Sequence, residues 1–157
     1  MALRKILTIN TNEAELRRVA KPVTVFDKRL GEFIDDLFET MYATDDGAGL
    51  ASTQVGVLKR VVVIDVGEDQ KYELVNPIIE EMHGEADYEE GCLSVPGMRG
   101  RTKRAERVKV RAQDRTGRVY TVEGEGLLAL ALQHEIDHLD GKLYIDRVIG
   151  DLWEVEA

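Results

Sequence analysis

"EGLLALALQHEIDHLDG" (residues 125–141) is the stretch from which the rest of the chain can be read. It predicts a helix that begins near Glu125, runs to about Leu139 and stops at Gly141, a residue suited to a helix C-terminus. Residues four apart lie one above the other on a helix, so His134 and His138 can offer two imidazoles to one ion. Glu135 is rotated about one position away, near enough to serve a water at that ion without ligating it. That is the mechanical content of H-E-x-x-H. The bland alternative is a pair of ordinary helix histidines. With three histidines in the whole chain, a chance match is rare, on the order of a per cent.

A helix this late follows a run of strands. "RVVVIDV" (60–66) and "KYELVNPIIEEM" (71–82) read as strands, the second interrupted at Asn76-Pro77. "AERVKVRAQDRTGRVYTVEG" (105–124) is a hairpin signal, two alternating runs around Asp114-Arg115-Thr116-Gly117. Upstream, "DKRLGEFIDDLFETMYAT" (27–44) carries Leu30, Phe33, Ile34, Leu37, Phe38, Met41 and Tyr42 at helical steps, with Asp27 as N-cap. The order predicts an α+β fold: antiparallel or mixed sheets packed around a central metal-binding helix, with an N-terminal amphipathic helix.

The chain of 157 residues has the length of one domain, 1–157, with a short acidic tail from about 146. No long apolar run or repeat appears, and the N-terminal decapeptide has no signal-peptide core, so no membrane partner is expected. One cysteine excludes an internal disulfide and fits a reducing, cytoplasmic setting. The net charge of −9 is uneven. Residues Arg99 to Arg118 hold nine basic side chains against Glu106 and Asp114, a local +7 that leaves −16 elsewhere. The stretch offers an anionic partner such as RNA a surface. Its alternation in "ERVKVRAQD", with no interleaved aromatics, favours instead the solvated face of a strand pair.

A catalytic site of this type wants a third protein ligand and an open position. The H-E-x-x-H-x-x-G-x-x-H template places Tyr144 where a histidine is needed, so that protease pattern fails. A downstream glutamate ligand would have to be Glu154 or Glu156, in the tail. His83 sits on a polar strand edge. Cys92 lies in "EEGCLSVPG", where Gly91 permits close backbone approach, and a thiolate with two imidazoles is a known catalytic set. Cys92 is therefore the expected third ligand.

"GAGLASTQ" (47–54), "EGCLS" (90–94) and "QHEIDH" (133–138), in this order, resemble the three motifs of bacterial peptide deformylases, and "LRRVAKPV" (16–23) resembles the family's N-terminal segment. The resemblance implies hydrolysis of the N-formyl group from N-formylmethionyl peptides of nascent proteins, with release of formate. It implies one divalent metal ion, Fe2+ natively with Zn2+, Ni2+ or Co2+ able to substitute, held by Cys92, His134 and His138. Glu135 would be the acid/base. The Gln54 side chain and the Leu93 backbone N–H would stabilise charge on the formyl oxygen.

For substrate binding, the same resemblance implies that Leu127, Leu130 and Ala131 wall a pocket for the methionine side chain. Gly47, Ala48, Gly49, Leu50 and Gly91 would pair with an extended peptide, with Tyr88 and Arg99 near its path. Ser52 departs from the family's usual alanine, and Ala48 is smaller than the usual branched residue. Some members carry a basic C-terminal helix that docks on the ribosome. The acidic "RVIGDLWEVEA" gives no electrostatic case for that, which leaves the Arg99–Arg118 stretch as the other route to a transient ribosome contact. The rival readings are an H-E-x-x-H peptidase, in which Cys92 would be dispensable for metal, and an RNA-binding module indifferent to chelators.

Overall fold

The "VVVI" run at 61–64 is apolar at every position because both faces of its strand are covered. In a computed structural model that describes residues 2–45 and 47–155, Val62 and Ile64 pack to one side of a sheet. Val61 and Val63 pack to the other. Among the described residues the elements are α1 (Ile9–Leu16), α2 (Lys28–Tyr42), β1 (Gly49–Ala51), β2 (Val61–Asp65), β3 (Lys71–His83), β4 (Ala86–Cys92), β5 (Val95–Arg104), β6 (Arg107–Gln113), β7 (Val119–Glu125), α3 (Gly126–Leu139) and β8 (Trp153–Glu154). Five strands form one antiparallel sheet in the order β1-β2-β3-β6-β7, and β4-β5-β8 form a second. The expected α+β class is what the structure has.

Helix α2 covers one face. Its N-cap Asp27 accepts from Leu30 N at 3.0 Å, which satisfies an otherwise orphaned donor. The expected stripe is buried from Leu30 to Met41, against Leu50, Val61, Val63 and Val75. Tyr42 departs from it. Its ring stacks on Phe38 and it stays exposed, because its hydroxyl donates to Asp65 at 2.6 Å. Helix α1, which the sequence reading did not anticipate, is short, kinked at Asn12 and buries only Leu16.

Helix α3 covers the other face through Leu128, Ala129, Leu132, Ile136 and Leu139. It is buried nearly all round, as its composition demands. A Cβ at Gly124 would lie 3.0 Å from Leu128 and Leu132, so β7 can approach the helix only through a glycine. The C-terminus of α3 is fixed by Arg60, which donates to Leu139 O at 3.2 Å and pairs with Asp140 at 3.0 Å. Gly141, at φ 75°, lies against the Arg17 carbonyl, which leaves no room for a side chain.

The interruption at Asn76-Pro77 is a break in the β3–β6 register between Val75 and Ile78, with Asn76 at φ 52°. The Asn76 side chain replaces the lost ladder. Its Oδ1 accepts from Val23 N at 2.8 Å, and its Nδ2 donates to Val23 O and Gln113 Oε1, each at 2.9 Å. Much of the basic stretch is absorbed locally. Lys109 pairs with Glu81, Arg111 with Glu80, and Arg115 with Asp35 and Glu73, while Arg104 is buried. Arg101, Lys103, Arg107 and Arg118 of the same stretch are exposed.

The Asn76→Ala variant should lose about 2–4 kcal/mol of unfolding free energy, from three hydrogen bonds at ~1 kcal/mol each and the cost of positive φ. Asn76→Gly should recover only the backbone part. Urea titrations of the three proteins check this, and equal midpoints for wild type and Ala would contradict it.

Candidate metal centre

Two elements that meet at right places in sequence only distantly build the centre. Helix α3 supplies His134 and His138, and the end of β4 supplies Cys92. One donor atom from each of the three lies within 4.8 Å of the others. Cys92 Sγ is 3.3 Å from His138 Nε2. His83 is exposed at the end of β3, 3.4 Å from Glu81, and Glu154 lies on the exposed tail strand, so neither belongs to this cluster. Glu156 lies outside the described residues.

Each imidazole is presented by its surroundings. His134 Nδ1 is 2.8 Å from Glu90 Oε1, so the carboxylate accepts a hydrogen bond from Nδ1–H and leaves Nε2 facing Cys92. Its ring stacks on Tyr144, whose hydroxyl donates to Met98 O at 3.2 Å. His138 is fully buried, and its Nδ1 has no hydrogen-bond partner among the described residues. Thr53 Oγ1 donates to the His138 carbonyl at 3.2 Å.

Glu90 is itself held. Thr102 Oγ1 donates to it, and Arg104 reaches it through Nε at 2.5 Å and Nη2 at 3.0 Å. Arg104 also donates to Asp137 at 2.9 Å, and Arg147 closes the chain onto Asp137 at 2.6 Å. Burial works to raise the Glu90 pKa, yet the bonds from His134 and Arg104 prevail and hold it at about 2. These carboxylates and Arg104 escaped the sequence reading. The only signal was the oddity of charged residues in an otherwise apolar helix and beside Cys92.

Glu135 is buried with Oε1 unpartnered among the described residues, and burial lifts its pKa to about 7. Burial depresses the His138 pKa, with the neighbouring His134 adding to it. For His134, burial acts downward but Glu135, Cys92 and Glu90 push the pKa well up. Gln54, on the 3-10 turn after β1, accepts from Ala51 N at 2.9 Å. Its amide donates to Ser94 Oγ at 3.1 Å and toward Cys92 Sγ at 3.6 Å. Ser52, the departure from the family pattern, is fully buried and donates to Lys59 O, which accounts for a hydroxyl there.

A cavity of about 460 Å3 opens onto the centre. Gly47, Ala48 and Gly49 line one side, Gly91 to Arg99 the other, and Leu127, Leu130 and Ala131 the floor beside His134 and Glu135. Gln54 and Leu93 also reach it. Two expected residues stand apart. The Leu50 side chain points into the α2 core, because β1 alternates and Gly49 and Ala51 take the other face, which leaves only its backbone for the expected pairing with a peptide. Tyr88 is on β4 with its hydroxyl donating to Ala105 O at 3.1 Å, away from the cavity lining. A Cβ on Gly49 would fall 2.7 Å from the Glu135 carboxylate, so the glycine is what lets β1 pass beside that carboxylate.

A thiol, two imidazoles and a buried free carboxylate facing a cleft make up the centre of a metal-dependent hydrolase. The chain belongs to the polypeptide deformylase family, whose sequence model matches residues 3–151. It is 53% identical to a peptide deformylase of Heliobacterium modesticaldum over 96% of this chain and 97% of that one. The fold superposes on a peptide deformylase from Thermotoga maritima with a TM-score of 0.90, at 40% identity, over 96% of this chain and 100% of the other. A peptide deformylase from Synechococcus elongatus in complex with actinonin gives 0.87, at 39% identity, over 94% of this chain and 79% of that one.

Replacing Glu90 by Gln should weaken metal retention by about 10–100-fold, the usual cost of losing an outer partner of a ligating histidine, and Cys92→Ala should weaken it further. Metal content after dialysis against a competing chelator measures both. Unchanged retention in Cys92→Ala would return the protein to the H-E-x-x-H peptidase reading.

Proposed function

We propose that this protein removes the formyl group from N-formylmethionyl peptides of nascent proteins in the cytoplasm, releasing formate, and that residues 1–157 act as one catalytic domain. The observation that carries the proposal is the clustering of Cys92, His134 and His138 beside a buried, unpartnered Glu135 at the end of a peptide-sized cleft. The donor set fits a divalent ion: one nitrogen of His134 is committed to Glu90, and the other faces the thiol. We take ferrous iron as native, with zinc, nickel or cobalt able to substitute. Such an ion would supply Lewis acidity and lower the pKa of a water.

The chain's own groups do the rest. Glu135 accepts the proton that the attacking water gives up, and returns it to the amine nitrogen as the formyl C–N bond breaks. The water oxygen leaves in formate. The Gln54 amide and the Leu93 backbone N–H stand where charge grows on the formyl oxygen. An extended peptide adds to the edge of β1, the outer strand of the five-stranded sheet, and runs past Gly91. Leu127, Leu130 and Ala131 take the methionine side chain, and Arg99 stands by the peptide's path. For a transient ribosome contact the stretch leaves Arg101, Lys103, Arg107 and Arg118 exposed, while Lys109, Arg111 and Arg115 are paired within the chain.

Protein prepared anaerobically with ferrous iron should release formate from formyl-Met-Ala-Ser. Glu135→Gln should lower kcat by about 10^2–10^4, and Gln54→Ala by about 10^2–10^3. No release from protein carrying one metal per chain would sink the proposal.

A further inference from the structure

The cavity has a wall that neither the three motifs nor the mechanism uses. The ladder between β4 and β5 runs from Ala86↔Arg104 to Glu90↔Gly100, then jumps to Cys92↔Val95. The intervening part of β5 is taken up on its other side by the tail. Met98 pairs with Glu154 and Arg99 with Trp153, and Val155 N donates to Gly97 O at 2.9 Å. Upstream, Ile149 N donates to Arg101 O at 2.8 Å. The seat for this strap is Gly100, where a Cβ would lie 2.6 Å from Val148 and 2.9 Å from Leu152. So β5 is shaped to receive the tail, and the tail brings the Val155 side chain to the cavity.

We propose that Val155, carried on the strap 148–155 docked along β5, is a specificity-determining residue that contacts the substrate beyond its formylmethionine, at the third residue. This rests on the deformylase reading above. Gly97 lies two residues beyond Val95, the partner of Cys92. Val155 lies across β5 from Cys92, so two residues of strand span roughly 6.6 Å and two interstrand steps add about 9.6 Å sideways. The wall therefore stands roughly 12 Å from Cys92. An extended peptide covers that by its third residue, three to four steps of about 3.3 Å counted from the formyl group. Val155 is apolar, and the residue it pairs with, Gly97, has no side chain to cover it, so the site takes an apolar side chain.

The test compares kcat/KM, with metal content matched, across two peptide series, formyl-Met-X-Ser and formyl-Met-Ala-X, where X is Leu, Ser, Asp or Lys. Wild type should favour Leu over Ser in the second series by about fivefold, as about 1 kcal/mol of partial apolar burial gives. In that same series Val155→Lys should raise the Asp-to-Lys ratio, and Val155→Asp lower it, each by about two- to fivefold. A merely structural tail would not change that ratio with the sign of the charge. Gly100→Val, which dislodges the strap, should abolish the Leu preference. Ratios that stay the same in wild type and both Val155 variants overturn the wall while leaving deformylation intact. Absence of formate from every peptide in the wild type overturns deformylation itself.

Discussion

Arg104 is the interaction on which the centre depends. Helix α3 cannot pack as it does unless its polar side chains are satisfied inside the protein, because Gln133, His134, Glu135, Asp137 and His138 are all buried. An isolated buried carboxylate would neutralise itself by taking a proton. Arg104 helps prevent that for Glu90, and the same guanidinium also bonds Asp137. Removing one partner of such a network costs about 3–5 kcal/mol, yet an apolar replacement of the whole is often as stable. Stability is therefore a poor reason for it. Orientation is a better one: Glu90 fixes which nitrogen of His134 is free, and Asp137, one residue before His138, ties the same turn of helix to β5.

Local patterns were legible where the cause is local. The H-E-x-x-H spacing, the stripe on α2 and the Asp114 turn follow from neighbours within a few residues, and each stands where the sequence placed it. Glu90, Arg104 and Asp137 do not have that property. Glu90 is 44 residues from the histidine it orients, and nothing in "EEGCLS" marks it apart from Glu89, which is exposed. The tail read as merely acidic because a two-residue strand has no period to detect.

The same division explains the glycines. Gly49 and Gly91 were expected to leave backbone open to a peptide, but at Gly49 the nearer reason is internal. The Glu135 carboxylate occupies the space of a side chain there. One residue thus serves two constraints, since the strand that would receive substrate must also pass against Glu135.

Candidate ligands drawn from a helix and a hairpin make the spacing of Cys92, His134 and His138 a property of how those two elements dock, and the docking is set away from the cluster. Tyr144 shows how. It stands at the position where a third histidine would sit in a protease of related motif, and its fully buried ring stacks on His134 while its hydroxyl holds Met98 O. With that position filled by a packing residue, the helix offers two imidazoles and no third. The candidate third donor is Cys92 from across the cleft, on the strand pair whose register Tyr144 and Arg104 help to fix.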